Sequence, residues 1–238
     1  MNTFNNEYII GDKISSAYTF KPPINKYTTR IHYLKEMLKG QRIIHVGFAD
    51  HIELINKKIK LGRWAHKEIT DVTEKCIGID INHEAVSYVK NNLKINNVFY
   101  YDILSIEKLK IIDEENWDYI LLGEILEHTY NPLDFIKKIH NKYNNIEKIV
   151  ITVPNAFNIM NFKNARKHYE KINSDHKYQF SPYTISKILI LSGFSIESIN
   201  FVDYFKWSFF AAIRRPVEYL QRIIFPFLRD NIVIVAKF

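Results

Sequence analysis

The chain has 238 residues, is 47% hydrophobic and carries a formal net charge of +7. That supports one full core, taken as a single domain over 1–238, while 15 Tyr and 16 Phe argue against a disordered chain. The lone cysteine, Cys76, excludes a disulfide framework and a cysteine-based zinc site, no apolar run reaches the roughly 18 residues of a membrane span, and the positive charge favours anionic partners.

With no leader sequence visible, the expected compartment is a reducing cytoplasm. Residues 1–24, ending in Lys21-Pro22-Pro23, read as an irregular arm. Asn25 to Lys39 reads as a helix, with Ile31, Leu34 and Leu38 on one face and Gly40 ending it. Arg42 to Val46 is a strand, followed by Gly47-Phe48-Ala49-Asp50 and a helix from His51 to Lys60. Residues 61–74 read as a polar connection, in which Trp64 is a packing anchor. A second strand, Lys75 to Ile79, closes on Asp80, and Asn82 caps a helix from His83 to about Leu93. A third, Asn97 to Tyr101, closes on Asp102. Helical segments between strands that end in aspartates are the mark of βαβ units and a parallel sheet.

The fourth strand lies in WDYILLGEILEHTYNPLDFIKKI, residues 117–139. Its apolar run, Tyr119 to Leu122, breaks at Gly123, and Glu124, Glu127 and His128 follow at a spacing that shares one helical face. Asn131-Pro132 starts a helix to 143, and Lys148 to Val153 is a fifth strand. Residues 155–180 read as a long connection of the kind that is functional or mobile. Ser181-Pro182 starts a helix to Leu191; Phe194 to Val202 and Asn231 to Lys237 are the last strands. Between them, 203–230 interleaves aromatics with Lys206, Arg214, Arg215, Arg222 and Arg229. It reads either as a substrate lid or patch against a membrane surface, or as a helical excursion covering the sheet edge with its basic residues outward.

Ligands of open α/β sheets bind at the carboxyl ends of strands. Asp80 is placed to accept from both hydroxyls of a ribose, and Asp102 to meet an adenine amine. The first loop supplies Gly47 and Ala49 as small residues, but His51 stands where a dinucleotide site wants a further glycine. An adenosine without phosphates fits better than a pyrophosphate.

In this order the segments IIHVGFAD, CIGIDIN, VFYYDIL, WDYILLGEILEHTYNPLDFIKKI and ITVPNAF resemble the motifs of class I S-adenosyl-L-methionine-dependent methyltransferases over about residues 40–200. The E-x-L-E-H-x-x-x-P form and DHKYQFSPYTISKILILSGF are similar to the ubiquinone-biosynthesis (UbiG-like) branch. The resemblance implies an α/β, Rossmann-like sheet of seven mostly parallel strands, the last antiparallel, with helices on both faces. It implies S-adenosyl-L-methionine as cofactor, held by His45, Gly47, Ala49, Asp80, Ile81, Asp102, Ile103, Gly123 and Glu124. His45 departs from the family, which carries an acid there; that job falls to Glu124 or Asp50.

For a hydroxyl acceptor the chemistry needs alignment and a base, for which His128 and His176 are candidates. Glu124, Glu127, His128 and His176 together also suit a divalent cation such as Mg²⁺ or Mn²⁺, with Zn²⁺ possible. The same pattern occurs in metal-dependent 2′-O-methyltransferases of small RNA; the alternative is that Glu127 and His128 only cap the turn. Three functions follow: O-methylation of a small molecule or saccharide, lipid-linked or phosphorylated; 2′-O-methylation of RNA, disfavoured because no RNA-binding module is recognisable; or nucleoside binding without turnover.

Overall fold

A computed structural model describes residues 7–238, so the first six residues of the expected arm lie outside the described residues. The arm contributes α1 (Glu7–Ile10), seated by its buried Ile9, and reaches α2 (Arg30–Leu38) without further regular structure. Then come β1 (Arg42–Val46), α3 (Ile52–Lys60), α4 (Ala65–Thr70) and β2 (Lys75–Asp80). Helix α4 occupies the stretch expected to be only a polar connection. Trp64 and His66 are 2% and 1% exposed, so burial against the sheet, not apolar periodicity, organises it.

α5 (His83–Leu93) starts where the Asn82 side chain accepts from the Ala85 amide, as the sequence indicates. β3 (Val98–Tyr100), α6 (Lys110–Asp113) and β4 (Trp117–Gly123) follow, then a 3₁₀ turn at Leu126–His128, α7 (Pro132–Lys142) and β5 (Ile146–Pro154). The expected connection at 155–180 contains α8 (Ile159–Ala165), capped by Asn158, which accepts from the Met160 and Asn161 amides. α9 (Pro182–Leu191) opens on a reciprocal cap between Ser181 and Thr184. β6 (Ser195–Val202), α10 (Phe209–Arg214), α11 (Pro216–Ile224) and β7 (Asn231–Lys237) complete the chain.

The seven strands form one sheet in the order β3-β2-β1-β4-β5-β7-β6, with β7 antiparallel to both neighbours and the other pairings parallel. This is the Rossmann-like arrangement expected. Strand side chains alternate between faces. Ile44, Ile120 and Ile149 point with Ile136 and Ile139 of α7 and Ile185 of α9 into one core. Ile43, Leu121, Val150 and Cys76 point to the other, under Leu34 and Leu38 of α2 and Ile69 of α4. The order turns back at β1, between β2 and β4, and a crevice opens at such a switch point.

Candidate active site

At that crevice a cavity of about 520 Å³ opens over the ends of β1, β2 and β4. Its first wall is the loop after β1. Gly47 adopts φ +66°, and a Cβ there would lie 2.9 Å from Ile125. Its amide donates to the Ile79 carbonyl at 2.8 Å, which ties the loop to β2. Phe48 beds onto Gly78 of β2, where an added Cβ would come within 2.7 Å of the ring. Only glycine lets the two approach so closely.

Asp80 faces this loop. Its carboxylate accepts from the Ala49 amide at 3.1 Å and the Asn82 amide at 2.8 Å. Burial raises its pKa, against the effect of those amides. Asp80 pairs with Tyr100 across β2 and β3, and the Tyr101 amide donates to the Asp80 carbonyl, so Asp80 and Asp102 stand at neighbouring strand ends. Asp102 itself is exposed, accepts from the Leu104 amide and lies outside the cavity lining. Ile81, 72% exposed, and Ile103, buried in the core, also lie outside it.

The far end of the cavity is built around Glu124. Its backbone holds φ +58°, a left-handed conformation rare without glycine, and its amide donates to the Thr152 carbonyl. One carboxylate oxygen lies 2.5 Å from Arg30 Nη1; the other accepts from the Tyr204 hydroxyl at 2.6 Å and the Asn231 amide nitrogen at 2.9 Å. Burial and the Glu124 charge hold Tyr204 well above an ordinary phenol, so it acts here as a donor. The sequence singled out none of Arg30, Tyr204 and Asn231, because they come from distant parts of the chain.

His45 lines the cavity beside this group, and its Nε2 lies 3.2 Å from where a Gly123 Cβ would stand. Its Nδ1 is 3.3 Å from His66 Nδ1, so one ring must donate and the other accept. Burial, then His66 and Arg30, keep His45 well below the usual imidazole range, and burial brings His66 down to about 3. Both rings are therefore neutral.

The last wall is the 3₁₀ turn and the loop over it. Lys177 donates from its amide to the Glu127 carbonyl and from Nζ to the His128 carbonyl, each at 2.7 Å. These bonds lay His176 against His128, with ring centroids 4.7 Å apart. Asp175 Oδ2 lies 2.7 Å from His128 Nδ1, which fixes that ring and leaves Nε2 free of this partner. Glu127 is fully buried, and neither carboxylate oxygen has a hydrogen-bond partner among the described residues. Burial, then the Glu124 charge, pushes its pKa up to about 8.

One donor atom each of Glu127, His128 and His176 lies within 4.8 Å of the others. The four-residue metal set expected from the sequence thus contracts to three, because Arg30, Tyr204 and Asn231 engage the Glu124 carboxylate. An orphaned buried carboxylate beside two imidazoles, one oriented by an outer carboxylate, fits a divalent cation. One carboxylate and two imidazoles suit Mn²⁺ or Zn²⁺ better than Mg²⁺.

Residues 62–144 match the family model described as a methyltransferase domain. That stretch holds Asp80, Asp102 and the Glu124–His128 corner. No curated protein matches the chain in sequence. Among solved structures, a SAM-dependent methyltransferase from Archaeoglobus fulgidus shares 20% identity at a TM-score of 0.51, covering 88% of this chain and 91% of that one. The small RNA methyltransferase HEN1 shares 16% identity at a TM-score of 0.56, over 94% of this chain and 26% of that one. Magnesium protoporphyrin IX methyltransferase from Synechocystis, with bound SAH, shares 13% at 0.51, over 87% and 79%. These likenesses are of fold.

Proposed function

We propose that the protein is an S-adenosylmethionine-dependent methyltransferase acting on a hydroxyl of a small molecule or saccharide. The methyltransferase-domain match over 62–144 supports the activity, and the sheet agrees with it. The observation that carries the reading is one continuous cavity with three chemically distinct stations. Asp80 and the Gly47–Ala49 backbone suit a ribose. Arg30, Glu124 and His45 suit the charged amino-acid end of the cofactor. Glu127, His128 and His176 stand where an acceptor would enter. The closer UbiG-like resemblance belongs to this proposal, as does a cytoplasmic location. So does a lipid-linked or phosphorylated acceptor, which the basic and aromatic segment beside the cavity supports.

S-adenosylmethionine supplies a methyl group already activated on a sulfonium, and a divalent cation held by Glu127, His128 and His176 would lower the pKa of the acceptor hydroxyl. The chain's own work is alignment, exclusion of water and removal of one proton. Where no cation occupies its Nε2, His128, oriented at Nδ1 by Asp175, accepts that proton there, and Asp175 stabilises the imidazolium that results. His176, kept below the ordinary imidazole range mainly by burial and then by His128, stays neutral and closes the entrance.

The Glu127–His128–His176 cluster also favours a second reading, in which the acceptor is an RNA 2′-hydroxyl, as the name of the HEN1 neighbour invites. A chain that binds the nucleoside without turnover is the third. Calorimetric titration with S-adenosylmethionine should show binding that Asp80→Ala weakens by about tenfold or more. No heat at millimolar cofactor would sink the methyltransferase reading. Binding without any methyl incorporation from labelled cofactor would favour the third. A salt-dependent affinity for short RNA would favour the second.

A further inference from the structure

Between β6 and β7 the chain leaves the sheet and carries α10 and α11. A helix on a globular domain ordinarily turns its apolar stripe to the core and its charges to water. Helix α11 does the reverse. Glu218 and Arg222, one turn apart, are 5% and 3% exposed. Arg222 Nη1 lies 2.6 Å from Asp203 Oδ1 and 2.7 Å from Asp230 Oδ1, and Glu218 pairs with Lys163 of α8. Val217, Leu220 and Ile224, which share the opposite helical face, are 68%, 52% and 62% exposed. Phe225 and Ile213 extend that apolar surface at 53% and 59%. The ion pairs fix the orientation, so the apolar face is presented outward by construction.

Charge identifies what covers it. Lys206, Arg214 and Arg215 are exposed in the same segment. With Arg63 they border an adjoining groove of about 640 Å³, whose own acids, Glu218 and Asp230, are engaged by Lys163 and Arg222. Arg63 also lines the 520 Å³ cavity and rests on the Phe205 ring, 4.0 Å from its centroid. Apolar side chains flanked by outward cations match an acidic bilayer surface, where the former enter the acyl boundary and the latter meet lipid phosphates. A second copy fits poorly, since a two-fold contact through this face sets the same cations against each other.

We propose that the outward face of α10 and α11 docks on an anionic membrane surface, with the groove around Arg63 at the level of the headgroups. A lipid-borne acceptor then reaches the cavity while its tail stays in the bilayer. That last clause rests on the methyl-transfer reading; the docking does not.

The test is co-sedimentation of the full chain with phosphatidylcholine vesicles, with and without phosphatidylglycerol. The native protein should pellet with the anionic vesicles, and high salt should release much of it. Leu220→Glu with Ile224→Glu should lower the bound fraction by about tenfold. Arg214→Glu with Arg215→Glu should remove the preference for anionic lipid. Ile106→Glu, at a fully exposed site outside this segment, should change nothing. Unchanged melting temperatures would show that the variants fold. Equal pelleting of native and Leu220→Glu/Ile224→Glu protein, or no pelleting with either vesicle, overturns the proposal. So does a self-association that the same pair abolishes in a protein that ignores vesicles. Cofactor titration of the vesicle-free protein is read separately, so a failure of docking and a failure of the methyltransferase reading cannot be confused.

Discussion

Arg30 Nη1 lies 2.5 Å from Glu124 Oε2, so the first residue of α2 reaches the end of β4 inside the cavity. The Tyr204 ring stands 5.1 Å from the guanidinium and donates to the other oxygen of the same carboxylate. The pair offers a bound amino acid both a cation and an anion. Arg30→Ala should weaken S-adenosylmethionine by about ten- to hundredfold, the loss expected for a charge-assisted bond. Arg30→Lys should recover only part, because a lysine cannot hold Glu124 and a ligand in one planar fork. Calorimetry on both variants decides it; native affinity in Arg30→Ala would remove Arg30 from the site.

Glu127 makes stability fall between acid and mildly basic pH. An ordinary glutamate ionises near 4.5, and burial pushes this one up to about 8. Between those values the folded chain keeps a proton that the unfolded chain has released, so stability falls as pH rises. The loss is complete above about 8 and on the order of 5 kcal/mol. Glu127→Gln should flatten that fall in urea titrations. A cation drawn to the carboxylate offsets the same cost. Mn²⁺ should therefore raise the melting temperature more at pH 8 than at pH 6, by a few degrees. An identical Mn²⁺ response in Glu127→Gln would rule out this site.

The His45–His66 pair works in the opposite direction. Both pKa values are depressed by burial, that of His66 from 6.5 to about 3. As pH falls below about 6.5, the unfolded chain takes up protons that the folded chain refuses, so stability is lost towards acid. With both rings contributing, the slope approaches about 2.7 kcal/mol per pH unit. His66→Leu should roughly halve it. Denaturant midpoints between pH 6.5 and 4 measure the effect, and an unchanged slope would mean that the rings titrate normally.

Gly78 is a packing residue for the site. A Cβ there would meet Phe48 at 2.7 Å and His66 at 2.9 Å, and both rings are buried. Gly78→Ala should cost about 1–3 kcal/mol in urea denaturation, because neither ring has room to yield. It should also weaken cofactor binding, since Phe48 carries the loop between Gly47 and Ala49. Loss of stability with native affinity would separate the loop from the cavity.

Strand ends were legible because their signals are local: short apolar runs closed by Asp80 and Asp102. The role of Glu124 was not, since Arg30, Tyr204 and Asn231 lie far away in the chain. Helix α4 escaped notice because Trp64 and His66 organise it through burial. In α8 the signal was present in the Asn158 cap and was outweighed by the polar composition around it. The stripes of α11 can be seen in 216–224, but which stripe faces inward is set by Asp203 and Asp230, through Arg222.

Asn231 donates to the same carboxylate that Arg30 grips, so residues separated by two hundred positions share one acceptor. During synthesis the helix bearing Arg30 leaves the ribosome long before Asn231 is made. A nascent chain that still lacks β7 cannot close the floor beneath Glu124, so the cavity is completed only after Asn231 has emerged.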